Sequence, residues 1–205
     1  MAPMPKAKAA PATTQTEPKI SFDDFLAKLS PKDRNNAEKQ LQAIEAAGED
    51  GKRHVATWRR LACMLTTLAP HQVRLGADHS LLFFVPDGPY KMQVFAMRDA
   101  RDGVIHVYCG DVLDQAIKQK VLKPAPRKAT AEEDEPELFR LNEVDETLPV
   151  DRIDGRIDNL PTYSKNLVGW NRKAIRIHLT PSATEHQLAA AEQLCAMTTP
   201  KLTPA

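Results

Sequence analysis

Apolar residues in the first third of the chain recur at helical spacing. Ser21 and Asp24 match a capping box, in which each side chain bonds the other residue's backbone, and they predict the start of a short helix. Ser30 followed by Pro31 predicts the start of a second helix. A third helix is predicted over about 53–68, and its apolar face is formed by Val55, Trp58, Ala62, Leu65 and Leu68.

Further along, the apolar positions change to the period of two that is typical of strands. Three strands are predicted, at 81–85, 91–97 and 104–109, and short turn sequences separate them. Strands joined by such short loops favour an antiparallel meander. Asp111 then stands where it could cap a helix that continues towards Val121.

In the last third of the chain, the pattern predicts secondary structure weakly at first and clearly near the end. Residues 137–141 are compatible with a short strand, and the stretch from there to Asn159 is ambiguous. Residues 174–179 alternate as a strand does, which turns Arg176 and His178 to the side opposite the apolar residues. Ser182 and Glu185 match a capping box, so a final helix is predicted from about that point.

These elements predict an α+β fold, in which an antiparallel β-meander packs against helices. A disordered N-terminal tail and an acidic internal linker accompany it. The predicted organisation is a tail at 1–19, helices with the meander at 20–123, a linker at 124–136, a strand and helix at 137–198, and a frayed end at 199–205. The late strand either joins the meander sheet or belongs to a small separate unit, and the first arrangement is preferred.

Charge changes the picture more than composition does. Across 205 residues, 28 Lys and Arg face 27 Asp and Glu, so the net charge of +1 excludes a uniformly basic nucleic-acid binder. The hydrophobic share of 42% is sufficient for a core. The near-neutral total hides opposed blocks, with +4 in 51–70, −7 in 131–150 and +4 in 161–180. The acidic block could therefore cover a basic patch of the same chain.

The sequence carries no motif specific enough to assign a family. The three cysteines lie far apart, and neither a zinc-ligand spacing nor a glycine-rich phosphate loop occurs, so no metal or cofactor is expected. No apolar stretch has the length of a membrane span, and the first residues lack the apolar core of a secretion signal. A cytoplasmic protein that does not enter the membrane is the expectation.

One candidate site is Cys109, which is predicted at a strand end just before a helix. Backbone amides at a helix start can stabilise a thiolate, and His106 lies three residues upstream. Residues an odd number apart on a strand point to opposite faces, however, so the two are not expected to meet. The commoner role of such a cysteine is that of a small buried residue.

A second candidate is the stretch 162–176, which mixes aromatic, basic and amide side chains without an acid. Such residues can stack bases, hold phosphates or contact an acidic surface. The expected binding residues are Tyr163, Lys165, Asn166, Trp170, Asn171, Arg172, Lys173, Arg176 and His178. The alternative is a solvated loop that Trp170 and Tyr163 anchor to the core.

A third feature concerns the two strands that carry His106 and His178. Val104, His106 and Tyr108 share one face of their strand, and Arg176 and His178 share one face of theirs. If the strands contributed to the same sheet surface, that surface would be polar, partly aromatic and suited to binding. The simpler alternative is a sheet with one face towards helices and one towards solvent.

These observations favour a non-enzymatic protein that binds an anionic macromolecule or ligand through residues 162–176. One alternative is a small-molecule-binding protein or thiol-dependent enzyme with its site near Cys109. Another is a structural or accessory protein whose charges keep it in solution. The identity of the partner and the oligomeric state stay open.

Overall fold

In the computed structural model, five helices and eight strands make up the described part of the chain, which is residues 20–198 without 70, 77–78, 88–89, 100–102, 126–135, 143 and 155–172. The helices are α1 (Phe22–Ala27), α2 (Pro31–Glu45), α3 (Glu49–Leu68), α4 (Leu113–Lys118) and α5 (Glu185–Thr198). The strands are β1 (Gln72–Leu75), β2 (Leu81–Asp87), β3 (Tyr90–Asp99), β4 (Ile105–Gly110), β5 (Leu122–Pro124), β6 (Glu137–Leu141), β7 (Thr147–Asp154) and β8 (Lys173–Leu179).

Local capping chemistry starts the first two helices as the sequence predicts. The Ser21 hydroxyl accepts a hydrogen bond from the Asp24 amide, and the Asp24 carboxylate accepts one from the Ser21 amide, each at 3.1 Å. Ser30 caps α2 in the same way by accepting from the Asp33 amide, and Pro31 occupies the first helical position. Both caps satisfy backbone donors that a helix start leaves without partners.

All eight strands belong to one antiparallel sheet in the order β1-β2-β3-β4-β8-β7-β6-β5. The first four strands form one meander and the last four form a second, and β4 pairs with β8 where the two meet. The fold class is therefore α+β, as predicted. β8 lies at the centre of the sheet, between β4 and β7.

The helices cover one face of this sheet, which we call the inner face. Their buried side chains share a single core with inward residues of the strands. α3 supplies the most deeply placed ones, and Trp58, Leu61 and Leu65 are each at most 2% exposed. Burying large apolar side chains of this kind stabilises a fold by about 1.5–3 kcal/mol each.

Several boundaries differ from the sequence predictions. α3 begins at Glu49, because residues before Arg53 continue the helix. Val112 occupies the N-cap position of α4, and the Asp111 carboxylate accepts a hydrogen bond from the Leu113 amide at 3.3 Å, so Asp111 bonds the start of the helix from one residue earlier. α5 begins at Glu185 because Thr184 and Gln187 bond reciprocally, so the predicted capping role of Ser182 is wrong.

Two strands of the structure have no counterpart in the sequence predictions, and several predicted segments lie outside the described residues. The pattern does not predict β5 or β7, because β5 has three residues and Pro149 interrupts β7. The predicted tails at 1–19 and 199–205, and most of the predicted linker at 124–136, lie outside the described residues. None of the helices that the structure describes is both long enough and apolar enough to cross a membrane.

Candidate functional site

The face of the sheet that carries no helix among the described residues is the outer face. Strand register brings residues from six strands into one row across it. Consecutive partners in this row are Arg74, Leu82, Ala96, Tyr108, Arg176 and Asp151. Residues that face each other across antiparallel strands have Cβ atoms about 4.5–5.5 Å apart, so each row is a continuous line of neighbours.

A second row runs beside the first and holds the two histidines. Arg98 on β3 pairs with His106 on β4, and His106 pairs with His178 on β8. The two imidazole rings lie edge to face with their centroids 4.6 Å apart. The Tyr108 hydroxyl is 3.5 Å from His106 Nδ1. The structure therefore brings His106, Tyr108, Arg176 and His178 onto one surface. This arrangement is the one that the sequence requires if the sheet is to form a polar binding surface.

One carboxylate organises this cluster. Asp151 Oδ2 accepts hydrogen bonds from Arg176 Nε at 2.9 Å, from Arg176 Nη2 at 2.5 Å and from His178 Nε2 at 2.7 Å. Burial by itself raises the pKa of Asp151, but the hydrogen bonds from His178 and Arg176 outweigh it and hold the pKa below its ordinary value. Asp151 is therefore ionised at neutral pH and fixes the orientation of both partners.

An apolar patch adjoins the polar rows on the same face. Its buried members are Leu82, Ala96, Tyr108 and Ala174, and Phe84 and Ile153 pack against them. Tyr108 is only 5% exposed, whereas Phe84 and His106 are partly exposed. The Arg74 guanidinium lies over the Phe84 ring, 5.2 Å from its centroid, which is a cation–π contact. Flat rings and guanidinium groups thus stand side by side.

Positive charge dominates the part of the outer face that the structure describes. Strand alternation places Lys123 and its partner Arg140 on it, since their neighbours Leu122 and Phe139 are buried on the inner face. Among strand side chains that the structure describes, Asp151 is the outward acid. The outward cations are Arg74, Arg98, Lys123, Arg140 and Arg176.

The acids of the block 131–150 do not cover these cations where the structure describes them. Glu137 is an inner-face position, because it precedes Phe139 by two residues on β6. Glu146 instead contacts the helix layer, where it accepts from Thr184 Oγ1 and lies 3.1 Å from His186 Nδ1. These two acids therefore do not cover the basic patch as the sequence predicts.

The surroundings of Cys109 do not support a reactive thiol. Its side chain is fully buried on the inner face, where it contacts Cys195 of α5, and His106 lies on the opposite face. The structure does not bring the thiol and the imidazole together. The hydrogen bond with Cys109, and then burial, raise the pKa of Cys195, so the Cys195 thiol is protonated at neutral pH.

The predicted binding segment is only partly described. Arg176 and His178 lie on the outer face as expected. Lys173 belongs to β8, but its side chain lies outside the described residues, and so do Tyr163, Lys165, Asn166, Trp170, Asn171 and Arg172. Sequence reasoning missed Arg74, Arg98 and Asp151, because only strand pairing shows that they share a surface with His178.

The described residues contain no group of three or more His, Cys, Asp or Glu side chains that could hold a metal ion. Comparison with family models, curated proteins and solved structures found no significant match. The candidate function therefore depends on the outer face itself.

Proposed function

We propose that this protein is a binding module that recognises an anionic macromolecule on its outer face. The observation that carries the proposal is a face on which the described strands place five cations and two histidines but one carboxylate. Complementary charge of this kind raises association rates and selects for negatively charged partners.

The extent of the charged surface favours a polymer over a small ligand. Arg74 lies on β1 at one edge of the sheet, and Lys123 lies on β5 at the other. Neighbouring strands are about 4.8 Å apart, so eight strands span roughly 34 Å. A small anion reaches only one part of such a surface, whereas an extended polyanion contacts all of it.

Five cations on the helix side are less available, because acids in the same layer pair with them. Arg59 and Arg60 on α3 pair with Glu45 of α2 and Glu185 of α5. The other helix-side pairs are Arg34 with Glu38, Lys52 with Glu49 and Arg53 with Asp50. On the outer face, Lys123 and Arg140 belong to none of the ion pairs that the described residues form, so both are available to a partner.

Binding is favoured over thiol-dependent catalysis. A nucleophilic cysteine needs access to substrate and a neighbouring base, and Cys109 is fully buried away from His106. All three cysteines are free thiols. We therefore place the protein in the cytoplasm, since thiols persist in a reducing compartment.

The test compares two charge-reversed proteins by fluorescence anisotropy. One carries Lys123→Glu and Arg140→Glu, both exposed on the outer face, and the matched control carries Lys32→Glu and Lys39→Glu, both exposed on α2. The probes are a heparin oligosaccharide and a single-stranded oligonucleotide of about 12 nucleotides. We expect the outer-face variant to bind at least about tenfold more weakly at low salt, with a salt slope smaller by about 2.

The control should bind like the wild type. Equal losses in the two variants would mean that binding depends on net charge rather than on the outer face. Failure of the wild type to bind either probe at low salt would also overturn the proposal.

A further inference from the structure

We infer that the polyanion is a single-stranded nucleic acid, because aromatic rings and an apolar patch lie within the positive surface. This inference rests on the proposed function and narrows it to one class of partner. Sulfated polysaccharides and polyphosphate carry charge without flat apolar groups. A single-stranded nucleic acid alternates phosphates with bases whose flat faces are free to stack.

The rings lie between two of the cations. His106 contacts the His178 ring edge to face at 4.6 Å and the Tyr108 ring edge to face at 6.1 Å. Arg98 and Arg176 are the neighbours of this group in the strand register. A base that stacks on His106 would therefore place its own phosphate near a guanidinium group.

The second contact region for a base is the apolar patch. Phe84 is partly exposed, and the Arg74 guanidinium already lies over its ring. Leu82, Ala96 and Tyr108 lie between Arg74 and Arg176 along the row, so an apolar stretch has a cation at each end. Bases that lie on this stretch would keep phosphates near the two cations, and four-stranded sheet platforms stack about two or three bases.

A double helix fits the same surface less well. Its bases are stacked on one another, so it offers phosphates and groove edges but no free base faces. The eight-stranded sheet also lacks, among the described residues, a helix on the outer face that could enter a major groove. With a double helix, the rings of the outer face would have no base to stack on, and only the charged side chains would contribute to the affinity.

Asp151 prepares the surface without binding the ligand directly. It fixes the guanidinium of Arg176 and the ring of His178 through three hydrogen bonds. Groups that are already held in place lose less conformational entropy when a ligand binds. Asp151 is therefore a positioning residue in this site.

The experiment separates bases from charge by using two oligomers of equal length. One is a thymidine oligomer of about 12 nucleotides, and the other is the same backbone with abasic sites throughout. Wild-type protein should bind the thymidine oligomer at least about fivefold more tightly, since one stacked base contributes about 1–3 kcal/mol. A duplex of the same length and a heparin oligosaccharide complete the set of probes.

Three variants test whether the rings are responsible. His106→Ala should weaken binding of the thymidine oligomer about 5- to 100-fold and leave the abasic oligomer unchanged. His106→Phe keeps a flat ring and should retain most of the affinity. His71→Ala, at an exposed position outside the sheet, should change neither affinity.

Equal affinity of the wild type for the thymidine and abasic oligomers would overturn this inference and leave the proposed function intact. The same conclusion follows if the duplex or heparin binds as tightly as the single strand. If His106→Ala weakens both oligomers alike, the ring does not contact bases and the inference fails. Absence of binding to all four probes would instead remove the proposed function.

Discussion

A single histidine links the helix layer to the sheet through both of its ring nitrogens. His54 is 6% exposed, its Nε2 lies 2.8 Å from Asp99 Oδ1, and its Nδ1 lies 3.1 Å from the Gly103 carbonyl oxygen. A carboxylate and a carbonyl can only accept, so the protonated ring satisfies both contacts. The hydrogen bond to Asp99 is the largest cause that raises the pKa of His54, and Gln40 also donates to Asp99 at 3.0 Å.

This arrangement predicts a stability that depends on pH in a defined direction. Because the folded pKa of His54 is raised, its contribution is complete below the unfolded value of about 6.5 and is lost as pH rises through the folded value. We expect His54→Gln to lower the free energy of unfolding by about 2–3 kcal/mol near pH 6, and by less as the pH increases.

Urea denaturation at a series of pH values measures this difference. His71→Gln is the matched control, because His71 is exposed. A difference between wild type and His54→Gln that stays constant from pH 6 to pH 9 would contradict a charged His54.

At the scale of the elements, a glycine of α3 lies directly against the backbone of α2. A Cβ atom added to Gly51 of α3 would lie 1.9 Å from the Ile44 carbonyl oxygen of α2. No side chain can occupy that space without moving the backbone of α2. The glycine is therefore required for packing, although it lowers the intrinsic stability of its helix.

Replacing this glycine should have the opposite effect to the usual one. Gly→Ala inside a helix ordinarily stabilises by about 1 kcal/mol, but we expect Gly51→Ala to destabilise by about 1–3 kcal/mol through overpacking. Thermal and urea unfolding measure the change. Ala56→Gly, at an exposed position of α3, serves as the comparison and should cost about 1 kcal/mol. A more stable Gly51→Ala protein would show that α2 and α3 are not packed as described.

Helix ends that are set by residues close in sequence can be predicted from the sequence. Strands whose place is set by pairing with distant strands cannot. The caps at Ser21 and Ser30 are local hydrogen bonds, so residue types three positions apart reveal them. β7 contains Pro149 and alternates poorly, because its place is set by pairing with β6 and β8. The pattern places the start of α5 too early, because Ser182 with Glu185 and Thr184 with Gln187 both have capping-box spacing, and the second pair is the one that forms.

At the scale of the whole molecule, the seam between β4 and β8 creates the candidate site. It brings His106 to His178 and Tyr108 to Arg176 across about 70 residues of chain. The alternation within each strand was visible in the sequence, so the outward direction of these side chains could be predicted. Their adjacency could not, because many strand orders are compatible with the same alternation.

The order of the strands in the sheet explains why a net charge of +1 is compatible with a positive surface. Strand alternation and sheet order gather Arg74, Arg98, Arg140 and Arg176 on one side, although they come from different parts of the chain. The described acids are distributed mainly to loops, helices and the inner face. A linear charge map cannot represent this separation, since it assigns charge to segments rather than to surfaces.

The most direct test of the central claim is to map the binding surface by amide chemical shifts. A thymidine oligomer of about 12 nucleotides is titrated into the isotopically labelled full chain. We predict saturable shifts in β3, β4 and β8, with the largest around His106 and Arg176, and small shifts in α2 and α3. Saturable shifts centred on the helices, with β4 and β8 unchanged, would contradict the assignment of binding to the outer face.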